Sequence, residues 1–192
     1  MRVIAGTAKK KPLCASDQPT MQPTVDRVKE ALFSRIQFEI PQRVCLDLFA
    51  GSGQLGIEAL SRGAAFCDFV ELTREAADCI RKNIRTCGFE NRSRLICADA
   101  FDYIVQTDRR YDLVFLDPPF HHELLSAVLP KVYRLLRPGA IVYCESHIED
   151  PEPPEIDGLE RFAQSRYGTI RTTFYRMPPE EPPLRSPAGT VG

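Results

Sequence analysis

The chain has no tryptophan, three histidines, no C-x-x-C pair and no long apolar run. Each absence excludes something. Without a stretch of roughly 18–20 apolar residues it has no membrane-spanning helix. The N-terminus, MRVIAGTAKKK, lacks the apolar core of a secretory signal, so the expected location is the cytoplasm. Seven cysteines (14, 45, 67, 79, 87, 97, 144) are an odd number. Unpaired by spacing and mostly set in apolar runs, they read as reduced, buried thiols and not as a disulfide framework or a zinc site; no metal is expected. A large excess of one charge is also missing, because the formal net charge is −1.

That near-neutral total conceals an asymmetry. Residues 1–43 carry eight Lys/Arg against four acids, whereas residues 149–192 carry eight acids against five arginines. A polyanion such as RNA would meet the front end, with Arg2, Lys9, Lys10, Lys11 and Arg27 as its contacts. Lys29 and Arg35, further along the first helix, are a second place where RNA could be held. At 192 residues one domain is expected. Residues 1–40 read as a basic arm and a helix, 41–176 as the main domain, and 177–192, with five prolines, as a disordered tail.

The arm holds Gly6, Pro12 and Pro19 and at most a short strand at Arg2–Ile4. Pro23-Thr24 opens a helix, with Thr24 as its cap and Val28, Leu32 and Ile36 on one face. From Val44 strands and helices alternate. Strands are expected at VCLDLF, 66–71, 94–97, 113–116 and 140–145. Helices are expected at 56–62, from Thr73 to Gly88, from about Phe101, and around 125–136, where Pro130 should interrupt the last. Such alternation builds a parallel sheet covered on both faces. Two strand-like runs, 159–167 and 169–176, joined at Gly168, then add an antiparallel hairpin at one edge.

The glycine spacing Gly51-x-Gly53-x-x-Gly56 follows the first strand, and Glu71 lies twenty positions past Gly51. Glycines there bring backbone N–H groups close to a ligand at a helix N-terminus. A dinucleotide pyrophosphate and the carboxylate of S-adenosylmethionine both need this. Asp47, four residues before Gly51, separates them: it opposes a pyrophosphate and suits an ammonium or sulfonium, so the methyl donor is favoured over NAD. The expected cofactor contacts are Asp47, Gly51, Ser52, Gly53, Glu71 for the ribose hydroxyls, and Asp99 with Ala100 near the adenine amino group. For each acid the competing role is a helix N-cap.

Asp117-Pro118-Pro119-Phe120 follows the fourth strand. Two prolines offer no N–H, so the turn presents carbonyl oxygens, one carboxylate and an aromatic face. Asp117 and the Pro118 carbonyl can accept the two N–H bonds of an exocyclic amino group and aim its lone pair at the donor methyl, while Phe120 stacks on the base. His121 and His122 read as an exposed loop pair.

With these segments in view, the chain resembles the RsmD family of bacterial methyltransferases acting on guanine N2 of small-subunit (16S) ribosomal RNA. The carrying segments are RVIAG, PTVDRVKEALF, DLFAGSGQLGIEALSRGA, FVE, DLVFLDPPF and RYGT, over about residues 1–176. The resemblance implies a Rossmann-like class I, S-adenosylmethionine-dependent α/β fold with a seven-stranded, mostly parallel sheet. It implies a base flipped out of its RNA and a partly assembled 30S subunit as substrate. Two departures stand out: Lys10-Lys11 where the family arm has Arg, and Gln22 where it has Arg before Pro-Thr. Two rivals use the same features, a DNA adenine-N6 methyltransferase and a non-catalytic RNA-binding assembly factor.

Overall fold

A computed structural model describes residues 1–15, 22–120 and 124–180, with side chains of 22–25 left aside. His121, His122 and the tail beyond residue 180 lie outside the described residues. Helix α1 is Gln22–Ile36, so Thr24 stands inside the first turn and not before it. The central sheet is built from β1 (Val44–Asp47), β2 (Phe66–Glu71), β3 (Ser93–Cys97), β4 (Tyr111–Leu116), β5 (Leu136–His147), β6 (Glu160–Tyr167) and β7 (Ile170–Arg176), in the order β3-β2-β1-β4-β5-β7-β6. β1 to β5 run parallel, and β7 runs antiparallel to both β5 and β6. The expected edge hairpin is present. Its second strand is the inner one, because β6 takes the edge and β7 returns between it and β5.

Four helices connect the parallel strands: α2 (Gln54–Ser61), α3 (Arg74–Cys87), α4 (Ala100–Gln106) and α5 (Leu124–Val132). Thr73 caps α3 by accepting from the Ala76 N–H, and Gly88 closes it in the left-handed conformation. α5 passes through Pro130 and gives way to a 3₁₀ turn only after Val132. An exposed proline two residues from a helix end forfeits few hydrogen bonds, so the break falls later than Pro130 itself. β5 begins at Leu136, earlier than expected, and absorbs Pro138-Gly139 as a register shift against β4.

The sheet separates two apolar cores. One holds Phe33, Cys45, Phe69, Phe115, Tyr143 and Phe174; the other holds Leu46, Val70, Val114, Leu129, Val142 and Tyr175. Strand alternation assigns the two sets, since neighbouring residues such as Cys45 and Leu46 face opposite ways. The expected strand at Arg2–Ile4 is a single bridge between Arg2 and Pro12. The arm is nonetheless docked: Val3, Ala8 and Leu13 are buried in the first core with Leu32 and Ile36 of α1. Glu58 on α2 is fully buried and anchors it, accepting from the Ile4 and Ala5 N–H groups at 2.8 and 3.0 Å. Among the described residues no helix is long and apolar enough to cross a membrane.

Candidate active site at the carboxyl edge of the sheet

The loop after β1 is shaped by its three glycines in different ways. Gly51 and Gly53 have φ of +53° and +76°, a region that β-carbon-bearing residues avoid. A β-carbon on Gly51 would meet nothing within 4 Å, so its backbone faces open space where a ligand can approach. Gly56 serves packing instead: a β-carbon there would sit 2.4 Å from the Phe69 ring and 2.7 Å from Cys67 Sγ. Ser52 is buried, and its carbonyl accepts from Asn83 Nδ2 of α3 at 2.9 Å.

Three expected cofactor acids hold this loop and its neighbours. Asp47, nearly inaccessible, accepts from the Gly56 N–H at 2.9 Å through Oδ2. Burial pushes its carboxyl up to about 8; the Gly56 N–H opposes this, and the Asp117 and Glu71 charges add to it. Glu71 accepts from the Gly51 N–H through Oε2 and from the Thr73 N–H through Oε1, both at 2.9 Å. Oε1 also accepts from the Thr73 hydroxyl at 3.1 Å, so it is Oε2 that retains a second lone pair for a hydroxyl. Asp99 is the N-cap of α4, its Oδ1 accepting from Phe101 and Asp102, so the capping role named as its alternative is realised through one oxygen. Ala100 is buried at the first position of that helix.

Two residues here escaped the sequence reading. Gln54, first in α2, has a buried Oε1 with no partner among the described residues, an orphaned acceptor directly after the glycine loop. Leu72, 64% exposed, offers an apolar surface beside Glu71, where a planar ring would lie between the ends of β2 and β3. An open backbone cradle, acids at three successive strand ends, an orphaned amide oxygen and an apolar platform fit an adenosine ligand with a cationic tail.

The Asp117–Phe120 turn leaves β4 beside the Glu145–His147 end of β5. Asp117 is half-buried, and among the described residues nothing donates to its carboxylate. Burial raises it to about 6. Pro118 is buried, Pro119 is exposed, and the Phe120 ring centroid is 6.0 Å from that of His147. Pro118, Pro119 and Phe120 line a cleft with Leu124 and Leu125 of α5 and Glu145 and Ser146 of β5. Glu145 has no motif around it in the sequence. It reaches the site because Cys144 pairs with Leu116, which sets the next residue of each strand side by side.

The basic residues divide. Arg2, Lys9, Lys10 and Arg27 are exposed; Lys11 donates to the Thr86 carbonyl at 2.7 Å. Lys29 is no RNA contact. It is 2% exposed, donates to the Arg2 carbonyl at 2.9 Å and lies 4.0 Å from Glu58, and burial lowers its pKa. Arg35 lies over the Phe174 ring, 5.5 Å from its centroid.

This strand order, with a glycine loop, successive strand-end acids and the D-P-P-F turn on the ligand edge, defines a class I S-adenosylmethionine-dependent methyltransferase. The family described as Conserved hypothetical protein 95 matches residues 1–176, and the chain belongs to it. The chain is 38% identical to ribosomal RNA small subunit methyltransferase D of Haemophilus influenzae, over 79% of this chain and 81% of that one. It is 36% identical to the enzyme of that name from Escherichia coli, over 80% and 78%. The solved structure of Escherichia coli yhhF superposes with a TM-score of 0.84 at 31% identity, covering 94% of this chain and 99% of that one.

Proposed function

We propose that this enzyme methylates the exocyclic N2 of a guanine in 16S ribosomal RNA, within a partly assembled 30S subunit in the cytoplasm. The observation that carries the reading is the half-buried Asp117, with no donor among the described residues, on a turn whose two prolines offer no N–H. The amino nitrogen of a nucleobase is a poor nucleophile because its lone pair is delocalised into the ring. Asp117 and the Pro118 carbonyl would each accept one N–H, pyramidalising the nitrogen and directing its lone pair along the transfer axis. Phe120 would hold the flipped base by its face.

When bound, the donor supplies a methyl group on a cationic sulfur, which keeps the bonding pair as the methyl leaves. The new N–C bond leaves an excess proton on N2, and Asp117, with a pKa near neutrality, would accept it and pass it to water. Alignment of two bound reactants is worth up to roughly 7–11 kcal/mol, so no covalent intermediate is needed. Asp47 would face the donor's ammonium, Glu71 its ribose, and Asp99 its adenine through the oxygen not used for capping. Exposed Arg2, Lys9, Lys10 and Arg27, with Lys11, would meet the RNA backbone.

The test is methyl transfer from labelled donor to 30S particles, to naked 16S RNA and to DNA in parallel, followed by nucleoside analysis. Label in 2-methylguanosine from the particles is expected. Label in N6-methyladenine of DNA, or no transfer to any of the three, would overturn the reading.

A further inference from the structure

The acceptor cleft contains a carboxylate that the proposed transfer does not use. Glu145 leaves β5 beside Asp117, as the Leu116–Cys144 pairing requires. The buried Tyr143 hydroxyl donates to its Oε2 at 2.7 Å, which fixes the carboxylate and leaves Oε1 without a donor among the described residues. Next to it, Ser146 is 4% exposed, lines the cleft, and has a buried hydroxyl with no partner among the described residues. Buried polar groups without partners are uncommon in folded chains, and this hydroxyl lies in the cleft beside the open oxygen of Glu145. A polar ligand edge would satisfy the open oxygen of Glu145.

Base chemistry says which edge. In guanine the N2 amino group is flanked on its Watson–Crick side by N1–H, a donor. In adenine the N6 amino group is flanked there by N1, an acceptor. With Asp117 and the Pro118 carbonyl engaged on the amino group, the neighbouring ring position falls to the adjacent strand end. We infer that Glu145 is a specificity-determining residue that accepts the N1–H of the flipped base and thereby selects guanine. A carboxylate oxygen there bonds a protonated N1 and repels the lone pair of an unprotonated one. Tyr143 is its positioning residue. The inference rests on the guanine-N2 reading above.

The base analogue 2,6-diaminopurine separates the two ideas, because it keeps the N2 amino group and lacks the N1–H. Small-subunit particles are reconstituted with 16S RNA ligated from transcripts and a synthetic segment that carries either guanine or 2,6-diaminopurine at the methylated position, the two kinds being mixed in equal amounts. They are methylated with labelled donor, and the ratio of the two N2-methylated nucleosides is measured. The wild-type enzyme should favour guanine by roughly tenfold to hundredfold, the range for one well-formed base contact. Glu145→Gln presents an amide that can donate to an unprotonated N1 and should narrow or reverse that preference. Glu145→Ala should narrow it without reversal. The ratio is internal to each reaction, so partial loss of folded enzyme does not alter it. Donor affinity of both variants should stay within twofold of wild type. Wild-type discrimination retained by both variants would overturn the role of Glu145. Wild-type transfer to neither N2 group would instead overturn the guanine-N2 reading itself.

Discussion

The two ends of the sheet treat buried acids in opposite ways. In the first half of the strands every such acid has cations. Asp68, fully buried, accepts from Arg94 at 2.9 and 3.1 Å and from the Tyr111 hydroxyl at 2.7 Å, with Arg109 at 3.4 Å. Asp112 accepts from Arg137 and from the Val44 N–H, with Arg43 at 3.8 Å. At the carboxyl edge Asp47, Asp117 and Glu145 stand on the same face of β1, β4 and β5 with no basic partner among the described residues. Burial raises all three, and their mutual repulsion adds to it for Asp47 and Glu145. Charge satisfied within the chain is architecture; charge left for something else is a binding site. The acids themselves are the same residue type, so only their neighbours distinguish the two roles.

Substitutions at the two ends should therefore fail differently. The largest effect is expected at Asp117. Asp117→Ala should cut methyl transfer by roughly 10²–10³-fold, the scale seen for single groups that orient a transition state, while the melting temperature holds. Equal loss of activity and stability would erase the contrast. Asp68→Ala should do the reverse. It removes the buried acceptor shared by the Tyr111 hydroxyl and Arg94, costing about 1–3 kcal/mol in denaturant unfolding, with near-normal turnover per folded molecule.

A smaller effect is expected with pH. Asp117 accepts N–H bonds best when ionised, and its carboxyl is raised to about 6. Transfer should be full above that value and decline as pH falls through it, by about tenfold for each unit below. In Asp117→Asn the decline should vanish along with most of the rate. The smallest effect is expected on the docked arm. Neutralising Lys9 and Lys10 together should leave donor affinity unchanged and flatten the salt dependence of RNA binding by roughly 0.7–0.9 log units per lost phosphate contact. An unchanged slope would assign the RNA to Arg27 and other exposed cations.

Much of this was legible before any coordinates. The period change at Val44, the Thr73 cap, the glycine loop and the D-P-P-F turn are local signals, and each stands at the strand or helix end where it was expected. What was hidden depends on pairing between distant segments. Nothing in YCESH marks Glu145 as a neighbour of Asp117; that follows from one register between β4 and β5. Nothing in QLGIEALS marks Glu58 as the anchor of Ile4 and Ala5, more than fifty residues away, or Lys29 as its buried companion. The basic count of the first helix overstated what RNA can reach for that reason. Asp99 shows a third limit: a ligand acid and an N-cap have the same sequence signature, and here one oxygen caps while the other is left.

The division of labour among the acids that lack a basic partner among the described residues is tested most directly by calorimetric binding of S-adenosylmethionine to Asp47→Asn and Asp117→Asn side by side. With Asp47 proposed to face the donor and Asp117 the acceptor, Asp47→Asn should weaken donor binding by roughly tenfold or more, the loss of a charge-assisted contact. Asp117→Asn should bind within twofold of wild type. Equal weakening in both variants, or weakening confined to Asp117→Asn, would contradict the account.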